Sequence, residues 1–308
     1  MIETEAAYGV DADTETGVDV DGADAVLVSD LSITPQSSDV VSRNLIRPYL
    51  GASQQLLANT KVECTFSVEL AGSGAAGTPP QYGKALKACG LHEAAIANTS
   101  VTYEPRSTNF GSVTIYYLID GVRHKVTGCR GTFSISASVG DIPTINFSFT
   151  GIYTPPTDSA LVTPTYANQD DPVLFKNGNT TSFQLLSYAG ALQSFAFELG
   201  NSLVYRELVG GSKEVLITDR AATGSVSIEA PLTDTFDYFE KAVDDDVALG
   251  NLQFTHGTVA GNIVQFLSAN VDIGDVSYGD QDGIAMLEIP YTCVPNTAAN
   301  TEFDLIYT

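Results

Sequence analysis

The sequence predicts an all-β protein with one short helix in each of two repeats. Short runs alternating Val, Ile, Thr, Phe or Tyr with polar residues fill most of the chain, only two stretches have helical spacing, and the order of these features occurs twice.

Residues 1–40 stand apart. They carry acids at roughly every third position with no strong period, and read as an extended acidic arm, solvated unless a neighbouring molecule orders it. Asp11, Asp13, Glu15, Asp19 and Asp21 alternate like calcium ligands, but the glycine and closing glutamate of such a loop are missing.

From residue 41 onward, strands are expected over 62–70, 112–119, 122–127, 132–138 and 144–151, then over 192–199, 202–208, 214–218, 224–230, 262–271 and 284–291. Asp120-Gly121 has the signature of a two-residue hairpin turn, and Asp280, Asp282 and Gly283 read as another. The first helix follows Pro79-Pro80 through QYGKALKACGLHEAA, with Thr78 as cap and Tyr82, Ala85, Leu86 and Cys89 on one face. The second is TDTFDYFEKAVDDDV, capped by Thr233 or Asp234, with Phe236, Phe239, Ala242 and Val243 apolar at helical spacing.

The two series coincide when the chain is laid on itself. At an offset of 159, residues 45–60 lie on 204–219, matching Arg47 with Arg206, Gly51 with Gly210, Ser53 with Ser212 and Leu57 with Leu216. Phe66, Val68 and Glu69 then fall on Val226, Ile228 and Glu229, and at an offset of about 140 Phe147, Phe149 and Pro155 fall on Leu287, Ile289 and Pro295. The expected organisation is an arm (1–40), a first domain (41–156), a Pro-, Thr-, Asp- and Asn-rich linker (157–181) and a second domain with a C-terminal tail (182–308).

Charge narrows the function. With 14 Lys+Arg against 37 Asp+Glu and a net charge of −23, the chain lacks the cations needed to displace counterions from nucleic acid or to hold an anionic membrane. Only 17% of residues are charged and 44% are hydrophobic, so the acidity reflects scarce bases and the chain can still bury a core. No run approaches a membrane span, and the first thirty residues hold nine acids and no base, the reverse of a signal-peptide start; a soluble, unprocessed protein is expected. Cys64, Cys89, Cys129 and Cys293 have no metal-ligand spacing and read as buried, reduced thiols.

Reactive constellations are absent from the pattern. The Gly-rich run at 71–77 (AGSGAAG) precedes a helix but lacks the Lys of a phosphate loop, and reads as a flexible strand-to-helix connection. His92, His124 and His256 fall on separate elements and read as ordinary surface or hydrogen-bonded histidines. Asp244-Asp245-Asp246 reads as a solvated helix stop or as part of a surface that must stay negative. No catalytic, cofactor-binding or metal-ligating residue is assigned.

Residues 144–160 (TINFSFTGIYTPPTDSA) and 191–230 (ALQSFAFELGNSLVYRELVGGSKEVLITDRAATGSVSIEA) resemble the tail tube proteins of long-tailed bacteriophages. The first segment looks like their closing strand and proline exit, the second like their opening strand, long hairpin and return. The resemblance covers about residues 41–295 and rests on strand and turn patterns alone.

The resemblance implies two tandem β-sandwich or β-barrel units of tail-tube type in a structural virion protein. Their strands join those of neighbours around a wide channel, and rings stack into a tube. Most relatives have one unit and form hexameric rings, so two units imply a trimeric, pseudo-sixfold ring. Implied partners are the chain itself, the tape-measure protein and the tail terminator and distal tail proteins, with DNA passing through unbound and no membrane partner. The implied location is the virion tail, assembled in the host cytoplasm. Stacking is assigned to the hairpin tips Gly51, Ala52, Ser53, Gly210, Gly211 and Ser212, together with the linker and arm. Acids lining such a channel would repel phosphate, although alternation alone does not say which acids face inward. The main competing reading is a secreted or surface-displayed β-sandwich binding carbohydrate or a receptor, which would bring a signal peptide or a disulfide frame. A hydrolase with paired carboxylates is the other.

Overall fold

The computed structural model describes residues 2–7, 22–43, 45–244, 249–296 and 299–308. Strands take 54% of the chain and helices 5%, which makes the protein all-β. The first half holds β1 (Ile2–Ala7), β2 (Ala25–Val26), β3 (Ser29–Ser42), β4 (Gln55–Glu69), α1 (Gly83–Ala88), β5 (Leu91–Ile96), β6 (Ser100–Pro105), β7 (Ser112–Ile119), β8 (Val122–Ser138), β9 (Thr144–Ile152) and β10 (Thr157–Asp158). The second holds β11 (Thr180–Leu185), β12 (Leu192–Glu198), β13 (Asn201–Glu207), β14 (Lys213–Arg220), β15 (Thr223–Glu229), α2 (Tyr238–Val243), β16 (Gly250–His256), β17 (Val264–Ile273), β18 (Ser277–Gln281), β19 (Ile284–Cys293) and β20 (Asp304–Tyr307).

The main sheet runs β3-β4-β9-β8-β12-β15-β19-β18, with every neighbour antiparallel. Its order is one four-strand ladder repeated: β3-β4-β9-β8, then β12-β15-β19-β18. β8 is long enough to serve twice. Its first half pairs with β7 and β10, and its second half lies in the main sheet. A further series, β11-β16-β17-β20-β6-β5, joins strands from both halves of the chain.

Period-two alternation sends Phe, Val and Ile of the main sheet to one face, where they meet the second layer. Phe195 packs on Phe254 and Phe266 at ring-centroid distances of 4.7 and 5.1 Å, and Phe197 on Phe266 and Phe303 at 5.0 and 4.8 Å. Phe133 reaches both halves, touching Phe147 at 5.9 Å and Phe197 at 6.0 Å. One continuous hydrophobic cluster results. Each such ring contributes about 1.5–3 kcal/mol when fully buried.

Both hairpin turns form as expected: Asp120 and Gly121 have φ of 44° and 83°, and Asp282 and Gly283 of 52° and 86°. Other expectations need correction. The strand from Ser29 begins inside the stretch read as an arm, where Ser32, Ile33 and Thr34 stand in register with Thr65, Cys64 and Glu63 of β4. The stretch with calcium-like spacing, 11–21, lies outside the described residues. The two strands expected over 122–138 are one.

The first helix is shorter than expected. It stops at Cys89, whose amide bonds to Ala85 and Leu86, and the following residues pair as β5; Tyr82 occupies the N-cap, and no cap bond from Thr78 forms. In the second, Asp237 is the cap in place of Thr233 or Asp234, accepting from the amides of Phe239 and Glu240 at 2.9 and 3.1 Å. Tyr238, absent from the expected apolar face, is the buried residue of α2, whereas Val243 is exposed.

The linker is tied down. Phe175 is buried within it, and Asp170 donates its amide to Gly72 at 3.0 Å. The Gly-rich run is packed: a Cβ on Gly72 would come within 2.0 Å of the Gly261 carbonyl, and its amide donates to Asn262 Oδ1 at 2.8 Å. The closing strands also shift. Phe66 and Val68 stand opposite Phe147 and Ile145, while Val226 and Ile228 stand opposite Ile289 and Leu287. With Phe66 matched to Val226, Phe147 therefore corresponds to Ile289, an offset of 142 in place of 140.

Candidate functional site

The face of the main sheet turned away from the core is built from the polar members of the same alternation. Its rungs cross both halves of the chain. Ser67, Asn146, Ser134, Glu198 and Thr223 lie in one row, and Glu69, Thr144, Ser136, Ala196 and Ser225 in the next. Neighbouring side chains bond along these rows: Ser67 Oγ donates to Asn146 Oδ1 at 2.7 Å, Ser227 Oγ to Glu288 Oε1 at 2.6 Å, and the Ser136 and Thr144 hydroxyls are 3.0 Å apart. These short side chains pave a flat polar surface.

Acids dominate the charge on this face. Glu63, Glu69, Glu198, Glu229 and Glu288 stand on it, and among the described main-sheet residues of this face the bases are Lys61 and the buried Arg130. Lys61 is itself paired with Glu63 at 2.8 Å. This row of acids was not legible in the sequence, because strand register decides which of many carboxylates share a face.

One hairpin extends beyond the sheet, and a second lies against β4, β8 and β9. One is made by residues 37–42 of β3 with 55–61 of β4, the other by β13 and β14. Gly51, Ala52 and Ser53 fall in the connection of the first, and Gly210, Gly211 and Ser212 in the turn of the second. Beside them Ile46, Leu50 and Val209 are fully exposed. Opposite charges brace the second hairpin, where Arg206 pairs with Glu214 and Lys213 with Glu207 at 3.0 Å. It is held to the body by buried Arg130, which donates to the carbonyl of Val215 in the hairpin and to those of Gly111 at 3.2 Å and Phe110 at 3.3 Å. Arg220 bonds the Arg106 carbonyl at 2.8 Å and pairs with Glu302 at 2.5 Å.

The histidines do not converge. His124 stacks on Tyr117 at 4.5 Å, His92 lies 3.4 Å from Arg106, and His256 is buried. His256 Nε2 donates to the Val173 carbonyl at 3.1 Å, which leaves Nδ1 to accept from Thr180 at 2.9 Å; burial holds its pKa below the usual value. All four cysteines are free and buried, with the Cys64 and Cys293 thiols pushed up to about 12 by burial. Among the described residues no three His, Cys, Asp or Glu side chains gather as a metal cluster, and no helix is long and apolar enough to cross a membrane. Asp245 and Asp246 of the acidic run lie outside the described residues.

An all-β sandwich whose main sheet ends in two open edges, with a paved acidic face and a projecting hairpin, belongs to the class of structural building blocks. The model of the phage tail tube protein family matches residues 2–293, and the chain belongs to that family. It is a structural protein of the virion tail that assembles into the tube in association with other tail proteins. No curated protein matches the chain.

Proposed function

We propose that the two four-strand ladders are duplicated tube units, and that three chains close into a pseudo-sixfold ring whose inner wall is the Ser-, Thr- and Glu-rich sheet face. The observation that carries this reading is the pairing of β8 with β12. It fuses the two ladders into one sheet, so a single chain already holds two adjacent wall segments. The apolar face lies outward beneath the second layer, where the circumference is larger and can hold the extra strands and helices.

The wall's chemistry suits passage of DNA. A polyanion is held by Lys and Arg that release its counterions, and the paved face offers one paired Lys and one buried, carbonyl-bonded Arg against five Glu. At physiological salt the repulsion reaches about 8 Å from the wall, enough to maintain a hydrated layer between wall and phosphate. Rings stack through the hairpin tips, where Leu50 and Val209 offer apolar surface at matching positions of the two units. The tape-measure protein fills the channel before ejection, terminator and distal tail proteins close the ends, and assembly takes place in the host cytoplasm. Electron microscopy of the purified protein tests the reading: rings or tubes with a central hole are expected, and persistent monomers at high concentration would oppose it.

A further inference from the structure

Asn177-Gly178 is the one Asn-Gly pair in the sequence, and it lies where the linker joins β11. The Lys176 carbonyl accepts from the amides of Asn179 at 3.1 Å and Thr180 at 2.9 Å, so Asn177 and Gly178 occupy the two central positions of a tight turn, with Gly178 at a φ of 90°. Both residues are exposed, and a Cβ on Gly178 would meet nothing within 4 Å. We infer that Asn177 is a site of spontaneous deamidation, and that its conversion loosens the joint between the linker and β11 whether or not the chains close into rings.

The chemistry needs water alone. The backbone nitrogen of Gly178, losing its proton to hydroxide, attacks Cγ of Asn177; the new N–Cγ bond forms, the Cγ–Nδ2 bond breaks, and ammonia leaves with a proton taken from water. Water then opens the five-membered imide at either carbonyl. One opening gives aspartate, and the other gives isoaspartate, in which the main chain runs through Cγ. A glycine in second position favours the attack, because no side chain crowds its nitrogen.

The fold leaves these conditions in place at Asn177 and removes them at its neighbours. Among the described residues no hydrogen bond holds the Asn177 side chain, and the Gly178 amide has no acceptor of ordinary geometry. Asn177 also lines a cleft of about 630 Å³ beside Phe175 and Phe183, which gives water access and leaves room for the imide to close. By contrast, Asn179 Nδ2 donates to the Leu174 carbonyl at 3.0 Å and Asn201 Nδ2 to those of Cys89 at 2.7 Å and Gly131 at 2.9 Å, and the residues that follow them, Thr180 and Ser202, carry side chains. The turn is pinned on both sides. Before it, buried Phe175 packs on Phe254 of β16 at 6.1 Å; after it, the Gly257 amide donates to the Asn179 carbonyl at 2.8 Å and Thr180 stands opposite His256. Isoaspartate adds one main-chain atom between these two anchors, so one of them must give, and β11 is held by β16 alone.

Peptide mapping by mass spectrometry tests the assignment on the purified chain, held folded at pH 9 and 37 °C. The mass gain that replaces NH2 by OH, located by fragmentation, should accumulate at Asn177 at least tenfold faster than at Asn179 or Asn201, with isoaspartate the larger product. Asn177→Gln should keep the melting temperature and lose this reaction, since the six-membered imide forms far more slowly. An Asn177 that stays intact in the folded chain while it converts in urea would show that the turn protects it, and would overturn the site; conversion spread evenly over the three asparagines would do the same. The second half of the inference is tested separately. The isoaspartate fraction, separated by anion exchange, should exchange the amides of β11 at least tenfold faster than the unconverted chain, with β19 unchanged. Equal exchange in β11 would overturn the loosening and leave the site standing.

Discussion

Phe197 on β12 stands directly across the ladder from Ile135 on β8, and both are buried. The rung couples residues from the two halves of the chain, whose apolar residues form one continuous cluster. Phe197 also meets Phe266 and Phe303, which ties the main sheet to the second layer.

Truncating this ring should therefore weaken the whole molecule. Phe197→Ala is expected to cost about 3–5 kcal/mol, from lost transfer energy plus the cavity left behind. Urea unfolding followed by tyrosine fluorescence and by circular dichroism should show one shared transition at lower midpoint. A variant in which only residues after 182 melt early would contradict a common core.

Arg130 fastens the second hairpin to the body through carbonyls of Phe110, Gly111 and Val215. Arg130→Met keeps much of the aliphatic stem but leaves these carbonyls without their donor, at about 1–3 kcal/mol for a buried unsatisfied group. Amide exchange in β13 and β14 should accelerate more than in β15. Uniform acceleration over the whole chain would argue against a local anchor.

The tips make the opposite prediction. Leu50→Asp and Val209→Asp alter fully exposed side chains, so monomer stability should stay within about 0.5 kcal/mol. Tube length in electron micrographs should fall sharply while single rings persist. Tubes of normal length would remove these residues from stacking.

Reversing the wall's charge should make it grip. In Glu198→Lys/Glu229→Lys/Glu288→Lys tubes, each new cation that contacts phosphate adds about 0.9 to the magnitude of the salt slope of DNA retention. Particles carrying the triple variant should eject their genome more slowly, most markedly at low salt. Unchanged ejection from normally assembled particles would show that the wall's sign does not matter.

Stability should fall at both ends of the pH range, for opposite reasons. Burial raises the Cys64 and Cys293 thiols to about 12 from an ordinary 9.0, so above pH 9 the folded chain keeps protons that the unfolded chain loses, and stability declines as pH rises towards 12. Burial lowers His256 from 6.5, so its contribution is present above that value and is lost as pH falls, when the unfolded chain takes up the proton first. Urea midpoints at pH 5, 7.5 and 10 should therefore peak in the middle. A midpoint rising from pH 7.5 to 10 would contradict the thiol assignment.

Much of this architecture was legible because it is local. The strand over 112–119 was read residue for residue, and the Asp-Gly turns followed from backbone preference alone. The elements that escaped notice depend on distant partners. β5 and β6 lie beyond a helix that looked longer, β20 was read as a tail, and β18 is a five-residue strand with a central glycine. The matched glycines fall between paired strands, in the β3–β4 connection and the β13–β14 turn, whereas the acids of the paved face were not found at all.

By itself the sequence determined the all-β class, the twofold recurrence of strand patterns and the excess of acid over base, since composition and period-two alternation are properties of the chain alone. Tertiary structure decided that β8 and β12 pair, which face Glu198, Glu229 and Glu288 share, and that Tyr278 is left uncovered at an edge. The physical reason is register. Alternation assigns each residue to one of two faces, but a slip of one position exchanges them, and only packing between strands far apart in the chain selects the alignment.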